Sequence, residues 1–247
     1  MVLTMVFLYL PIFLLVFLSF NNNKVATVWT GFSTHWFGVV FDNPNILRAA
    51  RNSLLVACTA TVLSTVFATM AALAMAGRAF RFQNVVNGLL GLPLLVPEIV
   101  TAVASLLFFL ALGFELGLHT VMIAHVVFCI PFAYLPIRAR LADMDPRLVE
   151  AASDLYASPW QAFRRVTLPL LAPGIFSGAM LAFIVSLDDF VITFFVAGPG
   201  ATTLPVYIFG MVRTGITPEV NALASLLLMA SMVFVGLSWW LGQRNRA

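Results

Sequence analysis

The chain has 247 residues, of which 62% are hydrophobic and only 9% charged, with a net charge of +3. An ordinary soluble domain carries about 25% charged residues, so this composition, with a mean hydropathy of +1.01, excludes a water-soluble globular protein and places the chain in a bilayer. The net charge reports topology rather than nucleic-acid binding, and no nucleic-acid partner is expected.

Crossing the hydrocarbon core takes about 20 apolar residues, and runs near that length lie at 2–20, 53–76, 86–111, 118–137, 174–197 and 221–242. The fold class is therefore an all-α integral membrane protein with six transmembrane helices, forming one membrane domain over 1–247 in contact with membrane lipid. The first run has no basic residue before it and no small-residue cleavage site. Phe20-Asn21-Asn22-Asn23 follows it instead, so it reads as a retained span and not a secretory signal.

In the third run, Pro93 and Pro97 precede Glu98. Each proline removes an i to i−4 hydrogen bond and kinks the helix, which frees carbonyls to line a cavity. An ionisable group at that depth costs at least ~2.5–3.5 kcal/mol and faces a bundle interior or watery cavity. Glu98, Thr101 and Ser105 share one helical face. In the second and fourth runs, Cys58 and Cys129 read as small buried hydrophobes. His119 and His125 lack companion ligands at metal-site spacing, so no metal site is expected. No nucleotide motif or nucleophile set is present; the chain reads as a non-enzyme, and any ATP chemistry belongs to a partner.

A polar island spans 138–173. Asp145-Pro146 and Ser158-Pro159 each pair an N-cap with proline at the first helical position, so two short helices are expected. Leu148, Ala151, Ala152 and Leu155 form an apolar stripe on the first, opposite Arg147, Glu150, Ser153 and Asp154. Ser158 and Gln161 have capping-box spacing, and Leu168-Pro169 is expected to stop the pattern. In the fifth run, Ser186, Asp189 and Thr193 share a face. Asp188 is turned about 100° away, so Asp189 is assigned to the pathway and Asp188 to a flanking role. The acids could alternatively cap or bridge helices, or pair with a partner's arginine. Three acids without an intramembrane Lys or Arg point to a cationic solute. Trp239 and Trp240, near the end of the sixth run, read as interfacial anchors.

Short cytoplasmic loops hold the excess of positive charge. With the N-terminus inside, the cytoplasmic segments carry Arg78, Arg81, Arg138, Arg140, Arg147, Arg164, Arg165, Arg244 and Arg246, against Lys24, Arg48, Arg51 and Arg213 outside. The Glu150 island is then cytoplasmic, and the 21–52 and 198–220 connections face out.

The pattern Glu150-Ala151-Ala152, then Val166-x-Leu168-Pro169, resembles the signature of permease subunits of ABC importers, with Tyr156 where that family usually has glycine. The resemblance implies that Glu150, Ala151, Ala152, Leu155, Leu168 and Pro169 belong to a coupling loop that seats on a cytoplasmic ATPase. Pro97-Glu98-Ile99-Val100, Ser186-Leu187-Asp188-Asp189-Phe190, Ala197-Gly198-Pro199, Leu204-Pro205 and Thr217-Pro218-Glu219-Val220-Asn221-Ala222 are more narrowly similar to the second permease subunit of spermidine/putrescine importers. That resemblance implies substrate-pathway roles for Trp36, Glu98, Ser186, Asp188 and Asp189, although Trp36 alone reads as an interfacial anchor. It also implies a bacterial inner-membrane location, a second homologous permease, two ATPase subunits that bind ATP and magnesium, and a periplasmic solute-binding protein. No cofactor is expected on this chain. The competing readings are a permease for another small cation or an amino-acid-like solute, and a secondary transporter, which would have no need of the docking loop.

Overall fold

The structure, a computed structural model, describes residues 2–24, 28–76, 81–215 and 217–244. Arg78 and Arg246 lie outside the described residues, as do the side chains of Trp239, Trp240 and Arg244. In chain order the helices are α1 Val2–Leu18, α2 His35–Asp42, α3 Pro44–Met75, α4 Gln83–Leu95, α5 Glu98–Ala111, α6 Leu118–Ala142, α7 Arg147–Asp154, α8 Pro159–Ala162, a π-helical turn Phe163–Thr167, α9 Leu168–Asp188, α10 Val191–Val196, α11 Leu204–Thr214 and α12 Pro218–Arg244. The all-α class stands, because in a bilayer a helix satisfies every backbone group within its own segment.

Three helices among the described residues are long and apolar enough to cross a membrane, or four if α4 and α5 count as one broken span. Two expected spans are interrupted. The 86–111 run is divided into α4 and α5, which meet at 109°. The 174–197 run is divided into α9 and α10 at Asp189, whose ψ of 126° is extended. The expected stop at Leu168-Pro169 is not there: a helical path runs continuously from Pro159 to Asp188. The π turn explains the passage. Leu168 N–H bonds to Phe163 O, five residues back, and this reset places Pro169 in the first turn of α9, where its missing N–H leaves nothing unpaired. The amphipathic α2 and the short α11 fall in connections that the hydrophobic runs do not mark.

The chain forms two compact units, residues 1–49 with 206–247, and residues 50–205. In the first, α12 packs on both α1 and α2. The connection after α1 folds around the fully buried Asn21. Its Nδ2 donates to Val28 O at 2.7 Å, its Oδ1 accepts from Thr30 N at 3.1 Å, and its carbonyl accepts from Trp36 Nε1 at 2.9 Å.

In the second unit the core collects Val56, Ala60 and Ala68 of α3, Ala102 and Phe109 of α5, a long face of α6, Leu171 of α9 and Ile192 of α10. Its tightest pairing is α6 with α9. A Cβ added at Gly178 would lie 2.5 Å from Ala133 O, and one at Gly174 would lie 2.5 Å from Arg140 Cβ. Only glycine permits that approach, the small-residue contact by which membrane helices gain dispersion without a hydrophobic driving force. The helices run antiparallel, so four-residue steps stay matched: Ala133 meets Gly178, Cys129 Sγ donates to Ala182 O at 3.6 Å, and His125 reaches Ser186.

Candidate functional site

The two interruptions carry the acids. At the first, Pro97 disfavours the α conformation in the residue before it, and Val96 is extended with ψ 134°. The chain turns there, and Glu98 opens α5, where a carboxylate complements the free N–H groups of a helix start. At the second, Asp189 takes over the start of α10. Its Oδ1 accepts from Ile192 N at 3.2 Å, and its Oδ2 accepts from Thr193 N at 3.0 Å and Thr193 Oγ1 at 3.1 Å. Because α10 packs against α5, the half-buried Glu98 comes to lie beside Asp189.

A residue to which the sequence assigned no role completes the group. His125, on α6, is 1% exposed. Its Nδ1 lies 2.8 Å from Ser186 Oγ, and its Nε2 lies 2.9 Å from Thr193 Oγ1 and 3.1 Å from Asp189 Oδ2. A carboxylate only accepts, so Nε2 carries the hydrogen it shares between Asp189 and Thr193. The spacing of four from His125 to Cys129 to Ala133, matched by Ser186, Ala182 and Gly178, is the sequence signal that pairs His125 with Ser186.

Ser186, Asp189 and Thr193 do converge, as the shared face predicts, though through a broken helix rather than along a straight one. The two adjacent aspartates, Asp189 assigned to the pathway and Asp188 to a flanking role, differ in exposure. Asp189 is 6% exposed and held by protein groups, whereas Asp188 is exposed. The reason lies in the break: with Asp189 extended, its side chain turns back onto α10 and α6, and Asp188, the last residue of α9, is left on the open side. Ser186 is buried against His125. On α5, Ser105 Oγ donates to Thr101 O at 2.8 Å, which uses that hydroxyl within its own helix. Trp36 belongs to the other unit, half-buried, with its indole N–H on Asn21 O.

The polar island is capped as expected at Ser158, whereas α7 begins one residue later than expected, at Arg147, with Pro146 in the N-cap position. Asp145 Oδ1 accepts from Arg147 N at 3.0 Å. Ser158 and Gln161 form the reciprocal box, with Gln161 N donating to Ser158 Oγ at 3.3 Å and Ser158 N to Gln161 Oε1 at 2.8 Å. Between the helices, Tyr156 has φ +59°. Ala157 N donates to Ala152 O at 3.0 Å and Tyr156 N to Ser153 O at 2.9 Å, the paired bonds of a left-handed helix end. Glycine suits that position best, which explains the family preference that this chain departs from. Leu148, Leu155, Tyr156 and Trp160 are all exposed, Tyr156 to 97%, and Glu150, Ala151, Leu168 and Pro169 are exposed with them while Ala152 is half-buried. The loop therefore presents an apolar rim beside an acidic side chain.

The sequence pattern of the family described as "Binding-protein-dependent transport system inner membrane component" matches residues 64–246. The "Spermidine/putrescine transport system permease protein PotC" of Haemophilus influenzae is 40% identical over 239 residues, covering 97% of this chain and 93% of that protein. The "Putrescine transport system permease protein PotI" of Escherichia coli K12 is 41% identical over 246 residues, covering 96% of this chain and 87% of its own. Among solved structures, a chain of a "bacterial ABC transporter involved in the import of the acidic polysaccharide alginate" superposes with a TM-score of 0.75 at 16% identity, covering 96% of this chain and 93% of that one. A second structure, of an alginate transporter with its periplasmic protein, gives a TM-score of 0.68 at 17% identity, covering 95% and 87%. At such identity the fold alone is shared.

Proposed function

This chain belongs to the family of binding-protein-dependent transport system inner membrane components, and from that premise we propose that it forms half of the translocation pathway of an ATP-driven importer of polyamines, putrescine or spermidine. The observation that carries the reading is the meeting of acids at two helix breaks: Glu98 and the Asp188-Asp189 pair occupy the interrupted ends of α5 and α9, which pack through α10. Discontinuous helices put charged groups at depth without exposing a backbone to lipid. Carboxylates there recognise ammonium groups, and a polyamine carries several at intervals.

In this reading Glu98 and Asp188 face the cargo and Asp189 and Ser186 hold the break, while Trp36 keeps the uptake role that the resemblance implies. Binding is shared among several weak contacts, so the cargo can leave. The apolar rim from Leu148 to Trp160, with Glu150, Ala151, Ala152, Leu155, Leu168 and Pro169, docks on a cytoplasmic ATPase subunit that binds ATP and magnesium. A second homologous permease completes the membrane part, with two ATPase subunits below and a periplasmic binding protein above. Six spans with the N-terminus in the cytoplasm, working as one permease domain, fit the distribution of Lys and Arg: α1 and α12 supply the first and last, and α4 with α5 one broken span.

The test is the purified complex with its second permease, ATPase and binding protein, assayed for ATP hydrolysis against a panel of polyamines and amino acids. Stimulation by putrescine or spermidine is expected; stimulation only by amino acids would reassign the cargo.

A further inference from the structure

A fully buried histidine inside a membrane span is costly unless both ring nitrogens are used. His125 uses both, and neither on its own helix. Nδ1 meets Ser186 in the last turn of α9, and Nε2 meets Asp189 at the break and Thr193 in the first turn of α10. One side chain on α6 thus touches the helix before the break, the break itself and the helix after it. The start of α10 does not need the histidine for capping, since Asp189 already accepts from Ile192 N and Thr193 N. What the imidazole adds is a fixed orientation of Asp189 relative to α9 and α6.

We infer that His125 is a positioning residue of the pathway: by clamping Ser186, Asp189 and Thr193 to α6, it holds the α9–α10 break and decides which of the two adjacent aspartates is exposed. Neighbouring residues on a helix differ by about 100°. If α9 and α10 were free to join or rotate, Asp188 and Asp189 would compete for the open side. With Asp189 held, Asp188 is committed to it. The clamp depends on the spacing of the α6–α9 contact, because the Ala133–Gly178 approach lies two four-residue steps from the His125–Ser186 pair. The inference deepens the proposed function and rests on it for the word pathway, but not for the identity of the cargo.

The test measures maximal uptake, per assembled complex, of whichever solute the wild-type importer carries, so that a wrong cargo assignment appears in the wild type and leaves the comparison intact. H125A lowers the rate about tenfold, the scale of one lost hydrogen bond to a charged group. Because His125 acts through Asp189, the H125A/D189N double variant lies within about twofold of the worse single variant. Losses that multiply to about a hundredfold would overturn the inference. Conservative rescue provides the second arm, and it decides the matter even where H125A does not assemble. H125Q, whose amide nitrogen reaches the Nε2 position, keeps the rate within about threefold of wild type, while H125N, which reaches only as far as Nδ1, does not. Equal rates in the two would contradict the clamp.

Discussion

Asp188 and Asp189 are adjacent, yet the fold gives them different work. Asp188 is exposed, while Asp189 is engaged by two backbone N–H groups, a hydroxyl and an imidazole. In the proposed reading, where Asp188 meets an ammonium group of the cargo, D188N lowers uptake about tenfold, with the amount of assembled complex unchanged; a proportionate fall in both, read by quantitative pull-down, would make Asp188 structural. Tyr156 gives a second residue-scale prediction. A non-glycine residue at φ +59° carries strain of about 1 kcal/mol or more, and a side chain 97% exposed gives up no packing when removed. Tyr156→Gly stabilises the permease by about 0.5–1 kcal/mol, seen as a rise in thermal unfolding temperature; a fall would assign the tyrosine a contact within the chain. The Ser158–Gln161 box was legible in the sequence because capping is local chemistry; at Tyr156 only the departure from glycine was legible, and the left-handed turn was not. The exposure of the aspartates was not, because a helical wheel assumes an unbroken helix and Asp189 is where the helix breaks.

Among the elements, the α6–α9 pair sets the geometry that the acids depend on. Gly178 sits where a Cβ would come 2.5 Å from Ala133 O, whereas Gly88 of α4 has nothing within 4 Å of its missing Cβ. Gly178→Ala forces the helices apart and destabilises by about 1–3 kcal/mol. Gly88→Ala is neutral or stabilising by about 0.5–1 kcal/mol, since glycine weakens a helix interior. Equal effects on the yield and melting of the purified permease would contradict the close crossing. Hydrophobic runs foretold where most helices lie, because length and apolarity are properties of the segment itself. They did not foretell the 109° turn at Pro97 as more than a kink, nor the passage through Pro169. A proline's effect depends on which hydrogen bonds the surroundings replace: at Pro97 the chain turned, and at Pro169 a π turn absorbed the missing donor. His125 stayed out of sight for a related reason, since its partners lie more than 60 residues away and only the antiparallel register brings them to it.

At the scale of the whole molecule, the family pattern and relatives of about 40% identity join with the geometry to give a membrane component whose acids gather at two breaks and whose exposed loop offers an apolar rim. The solved structures that share the fold are of transporters of alginate, an acidic cargo, so in the proposed reading the fold is not what selects a cation. In our reading the selection lies in Glu98 and Asp188, and the loop transmits the ATPase's work without knowledge of the cargo. The measurement that tests this most directly is uptake of labelled putrescine and spermidine into vesicles holding the complete importer and internal ATP, compared between wild type and the Glu98→Gln/Asp188→Asn variant. ATP-dependent accumulation is expected in the wild type, with a loss of about a hundredfold in the variant at equal assembly, one factor of about ten for each charge-assisted contact removed. Undiminished accumulation in the variant, or none of either polyamine in the wild type, would contradict that reading.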